Sequence, residues 1–206
     1  MKFETYQLAE GDTIRIPVPE SYSDDVRLIK SDIYREKGKT VSLAYIILCL
    51  LIHPFASTLI WLRLSARKGL LWPLCKVMYK VSSRRRNIEL SSATKIGYGF
   101  YIGHGMCMVV NSATIIGNNV NLSQFVNIGT NHNTPAIIGD NVYIGPSVCI
   151  VEDVKVGSYT TIGAGAVVSR NAPKNSTVAG CPAKVLNYNN PGRYISNPWI
   201  DDNDAK

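Results

Sequence analysis

Three histidines, His53, His104 and His132, are the side chains best suited to move a proton at neutral pH. An imidazole changes charge near neutrality, so one ring can act as base and then as acid. His104 lies in the glycine-flanked turn Gly103-His104-Gly105-Met106-Cys107, and His132 lies in Asn131-His132-Asn133-Thr134-Pro135. Cys107 stands close to His104, as a nucleophile would, but direct proton transfer through the histidine is the simpler chemistry. The five cysteines, at 49, 75, 107, 149 and 181, form no C-x-x-C pair and are odd in number. They are expected to be free thiols in a reducing, cytoplasmic compartment. A zinc site built from three histidines is not available, and no metal is expected.

Both candidate histidines interrupt a six-residue repeat. Aliphatic residues recur at Leu90, Ile96 and Ile102. After a two-residue slip follow Val110, Ile116, Leu122 and Ile128, and after a four-residue insertion Ile138, Ile144, Ile150, Val156, Ile162 and Val168. Glycine follows the aliphatic residue at 97, 103, 117, 129, 139, 145, 157 and 163, and a small or β-branched residue sits four places after it, as at Val120, Val142 and Ala166. A helix repeats at about 3.6 residues and a strand at 2, so a period of six fits neither. It fits a coil of flat faces, each a short strand with its aliphatic residue turned inward, stacked on the next coil. The glycine is expected to turn the corner. His104 falls just before the slip, where a side chain can leave the core, and His132 falls in the insertion, which should protrude.

The remaining elements must position this solenoid. Residues 1–26 are polar and read as an extended or loosely packed arm. Residues 27–86 read as helices, residues 87–187 carry the repeat, and residues 188–206 form a polar tail expected to fray. No secretory signal opens the chain, since its first 25 residues are polar and acidic. Ser42–Leu64 is apolar over nearly the length of a membrane span, but His53-Pro54 breaks it. Two helices meeting at Ile52-His53-Pro54 are expected, with peripheral membrane contact through residues 42–80 as the alternative. The net charge is +7, and no Asp or Glu occurs between Lys37 and Ile88. That favours anionic partners. The basic run lacks an aromatic stacking platform, so nucleic acid is not expected.

The hexapeptides resemble those of the hexapeptide-repeat acyltransferases. Within that family the chain is most similar to serine acetyltransferases and related capsular-polysaccharide O-acetyltransferases. The resemblance rests on E-L-S-S-A-T-K-I-G, G-F-Y-I-G-H-G, V-V-N-S-A-T-I-I-G-N-N-V and V-A-G-C-P-A-K-V-L, between Glu89 and Leu186. The upstream L-I-K-S-D-I-Y-R and H-P-F also look like that group's helical region. The resemblance implies a left-handed parallel β-helix, a β-solenoid preceded by an N-terminal α-helical region. It also implies acetyl-CoA as acyl donor and His104 as catalytic base, with a corner histidine as the bland alternative. Glu89 aligns with a carboxylate that orients the base. Gly145, Ser147, Gly163, Ala164 and Gly165 match positions along the coenzyme A arm, and Ser169, Arg170 and Lys184 match its nucleotide end.

The match fails around the acceptor. Where serine acetyltransferases place an Asp before the base and an Arg-His pair before a Pro, this chain has Gly103 and Asn133-Thr134. Neutral groups at Asn131, Asn133 and Thr134 beside His132 suit a sugar or glycan hydroxyl better than a zwitterion. The expected acceptor is therefore a sugar or glycan, with L-serine as the alternative and a non-catalytic β-helix scaffold as a third reading. The resemblance also implies a homotrimer with sites shared between subunits, with a dimer of trimers as a further option.

Overall fold

The computed structural model describes residues 1–130, 134–151 and 153–201. From Ile88 onward the chain winds as a left-handed parallel β-helix. Left-handed crossovers run against the usual preference of parallel strands. The first of its three parallel sheets stacks Ile88–Leu90, Met108–Val110, Asn127–Ile128, Cys149–Ile150 and Val167–Val168. The second stacks Lys95–Ile96, Ile115–Ile116, Ile137–Ile138 and Lys155–Val156. The third runs from Tyr101–Ile102 through Asn121–Leu122, Tyr143–Ile144 and Thr161–Ile162 to Thr177–Gly180, and closes with the antiparallel strand Ala183–Asn187. The repeat aliphatics fill the interior as one ladder, with Ile116, Leu122, Ile128, Ile138 and Ile144 all at 0% exposure. The small residues four places on, among them Val120, Val142 and Ala166, are buried beside them. The register records both breaks. Val109 pairs with Asn127, 18 residues on, whereas Glu89 pairs with Val109 after 20 and Asn127 with Cys149 after 22.

The corner residue is not the glycine of the repeat. Asn119, Phe125, Asn141, Ser147, Asp153 and Tyr159 take φ between 56° and 62°, each three places after its aliphatic residue. Asn and Asp tolerate this left-handed region best, and the tight turn forces it on Phe125 and Tyr159 as well. The glycine beside the aliphatic residue serves another end, because the coils stack on it. A Cβ at Gly117 would lie 2.4 Å from the Gly139 carbonyl oxygen, and one at Gly139 would lie 2.5 Å from the Ser158 nitrogen.

The N-terminal residues are not a loose arm. β1 (Lys2–Gln7) and β2 (Thr13–Val18) form an antiparallel hairpin. The alternation in T-I-R-I-P-V sends Ile14 and Ile16 inward, and both are 1% exposed against Leu8 and Ile115. Four helices follow: α1 (Tyr22–Lys37), α2 (Leu43–Ile52), α3 (Pro54–Ala66) and α4 (Trp72–Arg84). α1 starts earlier than the sequence suggests because Ser21 and Asp24 form a reciprocal capping box. Gly38 ends it in the left-handed conformation. α2 and α3 meet at His53-Pro54 with a bend of 115°, and no single helix among the described residues is long and apolar enough to cross a membrane.

Helices and solenoid are locked by a buried polar network. Arg63 of α3 grips Asp32 of α1 through Nε and Nη2 at 2.8 and 2.9 Å, and donates onward to the Ile96 and Gly97 carbonyls of the first coil. The Phe100 amide donates to Asp32 at 2.8 Å, and Gly99 N–H donates to Ser31 Oγ at 2.9 Å. Arg35 donates to the Gly99 carbonyl, the Asn121 side chain and the Ser196 carbonyl. Burial draws its guanidinium down to about 10, still charged at neutral pH. The tail does not fray over residues 188–201 but runs back along the coils. Asn119 and Trp199 exchange two hydrogen bonds of 2.8 and 3.0 Å, Trp199 stacks edge-on to Tyr34, and Asp201 pairs with Arg27 at 2.8 Å.

Candidate active site

The two-residue slip shapes the turn between Ile102 and Met108. Gly103 N–H still pairs with Leu122, but beyond it the chain bulges, and His104 and Cys107 adopt φ of 56° and 51°. His104 is exposed, as a side chain expelled from the ladder must be. The turn is anchored at its far end, where Cys107 N–H donates to the Arg86 carbonyl at 2.9 Å and Met108 N–H to that of Asn87 at 3.1 Å.

His104 stands at the edge of a cavity of about 340 Å³ between the helices and the first coil. Tyr101 and Ile102 line it from the coil, Ala56, Leu59 and Ile60 from α3, and Ile29, Asp32, Ile33 and Glu36 from α1. Asp32 is committed to Arg63. Its burial pushes the carboxyl up, while Arg63 and the Phe100 amide draw it down. Glu36 is exposed and holds the Lys37 ammonium at 2.8 Å. The sequence reading missed this wall. Ile29, Asp32, Ile33 and Glu36 are spaced i, i+3, i+4, i+7, and carboxylates on an otherwise apolar helix face were the available signal.

Glu89 is exposed on the first strand of the solenoid, Ile88–Leu90, adjacent to the anchored end of the His104 turn. It faces a different, open groove of about 1020 Å³ shared with Val109, Asn111, Gly129 and Thr130. Among the described residues no hydrogen bond joins Glu89 to His104. Asn131, His132 and Asn133 lie outside the described residues. Thr134 is exposed, and its carbonyl accepts from Asp153 N–H at 3.1 Å.

The corner that carries His104 repeats on every coil above it. Phe125 N–H reaches the Met106 carbonyl at 3.4 Å, Ser147 N–H that of Gln124 at 3.0 Å, and Gly165 N–H that of Pro146 at 2.9 Å. Gly145, Ser147, Gly163, Ala164 and Gly165 therefore fall in one lane that starts at the His104 turn. Ala164 and Gly165 are exposed, and a Cβ at Gly165 would meet nothing within 4 Å, so a ligand can approach the backbone there. Lys184 is brought to the top of the lane, since its strand partner Ala179 stacks on Gly163. Ser169 and Arg170 are exposed beyond Val167–Val168, on the next corner.

Comparison with known proteins agrees with this architecture. Residues 135–170 match the bacterial transferase hexapeptide family (six repeats). The chain is 33% identical over 127 residues to a serine acetyltransferase of Bacillus pumilus, covering 59% of this chain and 58% of that one. It is 32% identical over 106 residues to serine acetyltransferase 4 of Arabidopsis thaliana, covering 49% and 30% respectively. The chain thus spans less than two thirds of the length of these relatives. Among solved structures, soybean serine acetyltransferase superposes with a TM-score of 0.62 at 27% identity, covering 80% of this chain and 68% of that one. The Brucella abortus enzyme gives 0.65 at 22% identity, covering 82% and 70%. The repeat, the solenoid and its helical preface are thus features this chain shares with the serine acetyltransferases it resembles, and residues 135–170 carry the hexapeptide signature.

Proposed function

We propose that this chain is an acetyl-CoA-dependent O-acetyltransferase that uses His104 as general base. The observation that carries the reading is that the small residues of two successive coils, Gly145, Ser147, Gly163, Ala164 and Gly165, stack in the same lane as the one exposed histidine of the described solenoid. Acetyl-CoA lies along Gly145, Ser147, Gly163, Ala164 and Gly165, and Lys184 and Arg170 offer cations to its phosphates. His104 takes the acceptor's hydroxyl proton as the oxygen attacks the thioester carbonyl. The tetrahedral intermediate collapses, the carbon–sulfur bond breaks, and the imidazolium returns its proton to the leaving thiolate. The resemblance gives Glu89, one coil earlier, the role of orienting the imidazole. Cys107 is not needed.

The acceptor we favour is L-serine, in place of the sugar or glycan that the neutral loop suggested. The relatives described above are named for serine. Gly103 removes the acid expected before the base, but Glu36 supplies a carboxylate in the same pocket as His104. That group can take an ammonium, which a neutral sugar does not have. In this reading His132, Asn131, Asn133 and Thr134 contact the acceptor or the thioester, and the site is shared between subunits of a trimer.

The deciding experiment measures thiol release from acetyl-CoA by the purified chain, with L-serine and a set of sugars offered separately. Release with serine alone is the expected result. Release only with a sugar would return the acceptor to the glycan class. No release with any acceptor, together with no coenzyme A binding, would leave a scaffold.

A further inference from the structure

α4 packs one side only. Cys75, Tyr79 and Ser83 are buried, and the Tyr79 hydroxyl donates to the Leu90 carbonyl at 2.6 Å. Its opposite face is bare. On α4, Leu74, Val77, Met78 and Val81 follow the i, i+3, i+4, i+7 spacing of one helical stripe and are 55, 59, 36 and 42% exposed, and Leu70 and Leu71, just before the helix, are 90 and 51% exposed. Soluble surfaces seldom leave so continuous an apolar stripe open. The stripe is flanked by exposed cations at Lys68, Lys80, Arg84 and Arg85, and half-buried Trp72 stands at its start with the Lys76 ammonium 5.8 Å from its ring. No Asp or Glu occurs in the sequence from Lys37 to Ile88.

We infer that this face of α4 docks on an anionic lipid surface, with the leucines and Val77 sunk among the headgroups and the cations against lipid phosphates. The charge pattern decides between occupants. Pairing this face with the same face of a second copy would bring like charges together with no carboxylate from this segment to offset them, which opposes such association. A negatively charged membrane answers both the apolar stripe and its basic rim. α4 is too short to span a bilayer, so the contact is peripheral.

The test is flotation of the full chain with vesicles of phosphatidylcholine alone or mixed with phosphatidylglycerol. The chain should float with the anionic vesicles, bind neutral ones roughly ten-fold less, and weaken as salt is raised. Leu74→Glu with Val77→Glu should abolish flotation while leaving the melting temperature and solution mass unchanged. Lys80→Glu with Arg84→Glu should weaken it by at least about 25-fold, since each cation near such a surface is worth about five-fold. Absence of flotation with anionic vesicles overturns the inference, as does equal flotation of the Leu74→Glu, Val77→Glu variant. A fall in that variant's solution mass, with no vesicle binding by the parent chain, would assign the face to a second copy instead.

Discussion

His104 is an exposed side chain held at φ 56° in a turn anchored at both ends, through Gly103 to Leu122 and through Cys107 to Arg86. That places an imidazole without tying it down, which suits a group that must trade protons twice per turnover. His104→Ala should lower kcat by about 10²–10⁴-fold while coenzyme A binding, read by calorimetry, stays within a few-fold of the parent. Survival of turnover would remove the histidine from the mechanism. In the proposed site Glu36 takes the ammonium of serine. Hydrogen bonds to charged groups contribute about 1.5–3 kcal/mol, so Glu36→Gln should raise the KM for serine about 10- to 100-fold with kcat little changed. An unchanged KM would show that the ammonium is held elsewhere.

At the scale of elements, the coil is governed by how closely its turns stack. A Cβ on Gly97 would lie 2.5 Å from Asn118 Oδ1 and 2.6 Å from the Gly117 carbonyl carbon. Gly97→Ala should therefore cost about 1–3 kcal/mol of stability, as overpacking usually does. Gly103→Ala is the control, because its Cβ would meet nothing nearer than 3.5 Å. It should melt within about 0.5 kcal/mol of the parent. The junction between α1, α3 and the first coil rests on Asp32 and Arg63, whose side chains are 3% and 5% exposed. Asp32→Asn leaves a buried guanidinium without its countercharge and should cost about 3–5 kcal/mol in denaturant unfolding. Adding Arg63→Met should recover part of that loss, because the cost lies in the unpaired charge.

At the scale of the molecule, the His104 cavity is bounded by the helices on one side, while the lane above it lies open in the single chain. A site shared between subunits would cover it. The expected solution mass is three times that of the chain, or six times if two trimers join. A monomer that still turns over would refute the shared site.

Much of this was legible in the residues themselves. The six-residue period fixed the solenoid and its core, because an interior that narrow admits one large aliphatic side chain and one smaller residue per face. The two-residue slip and four-residue insertion marked where the ladder breaks, and so singled out His104. What the sequence could not show came from contacts distant along the chain. Residues 1–26 and 188–201 looked loose because their polar residues were expected to face water. The Arg27–Asp201 and Asn119–Trp199 contacts that hold the tail join positions 174 and 80 residues apart. Glu36 did not stand out in the sequence, and α1 brings it to line the same cavity as His104. The glycines looked like corners, and only the stacking of one coil on the next revealed them as points of close approach. Local periodicity is written in one dimension and can be read there. Which faces meet depends on where the whole chain buries its apolar surface, and that was decided by the tertiary fold.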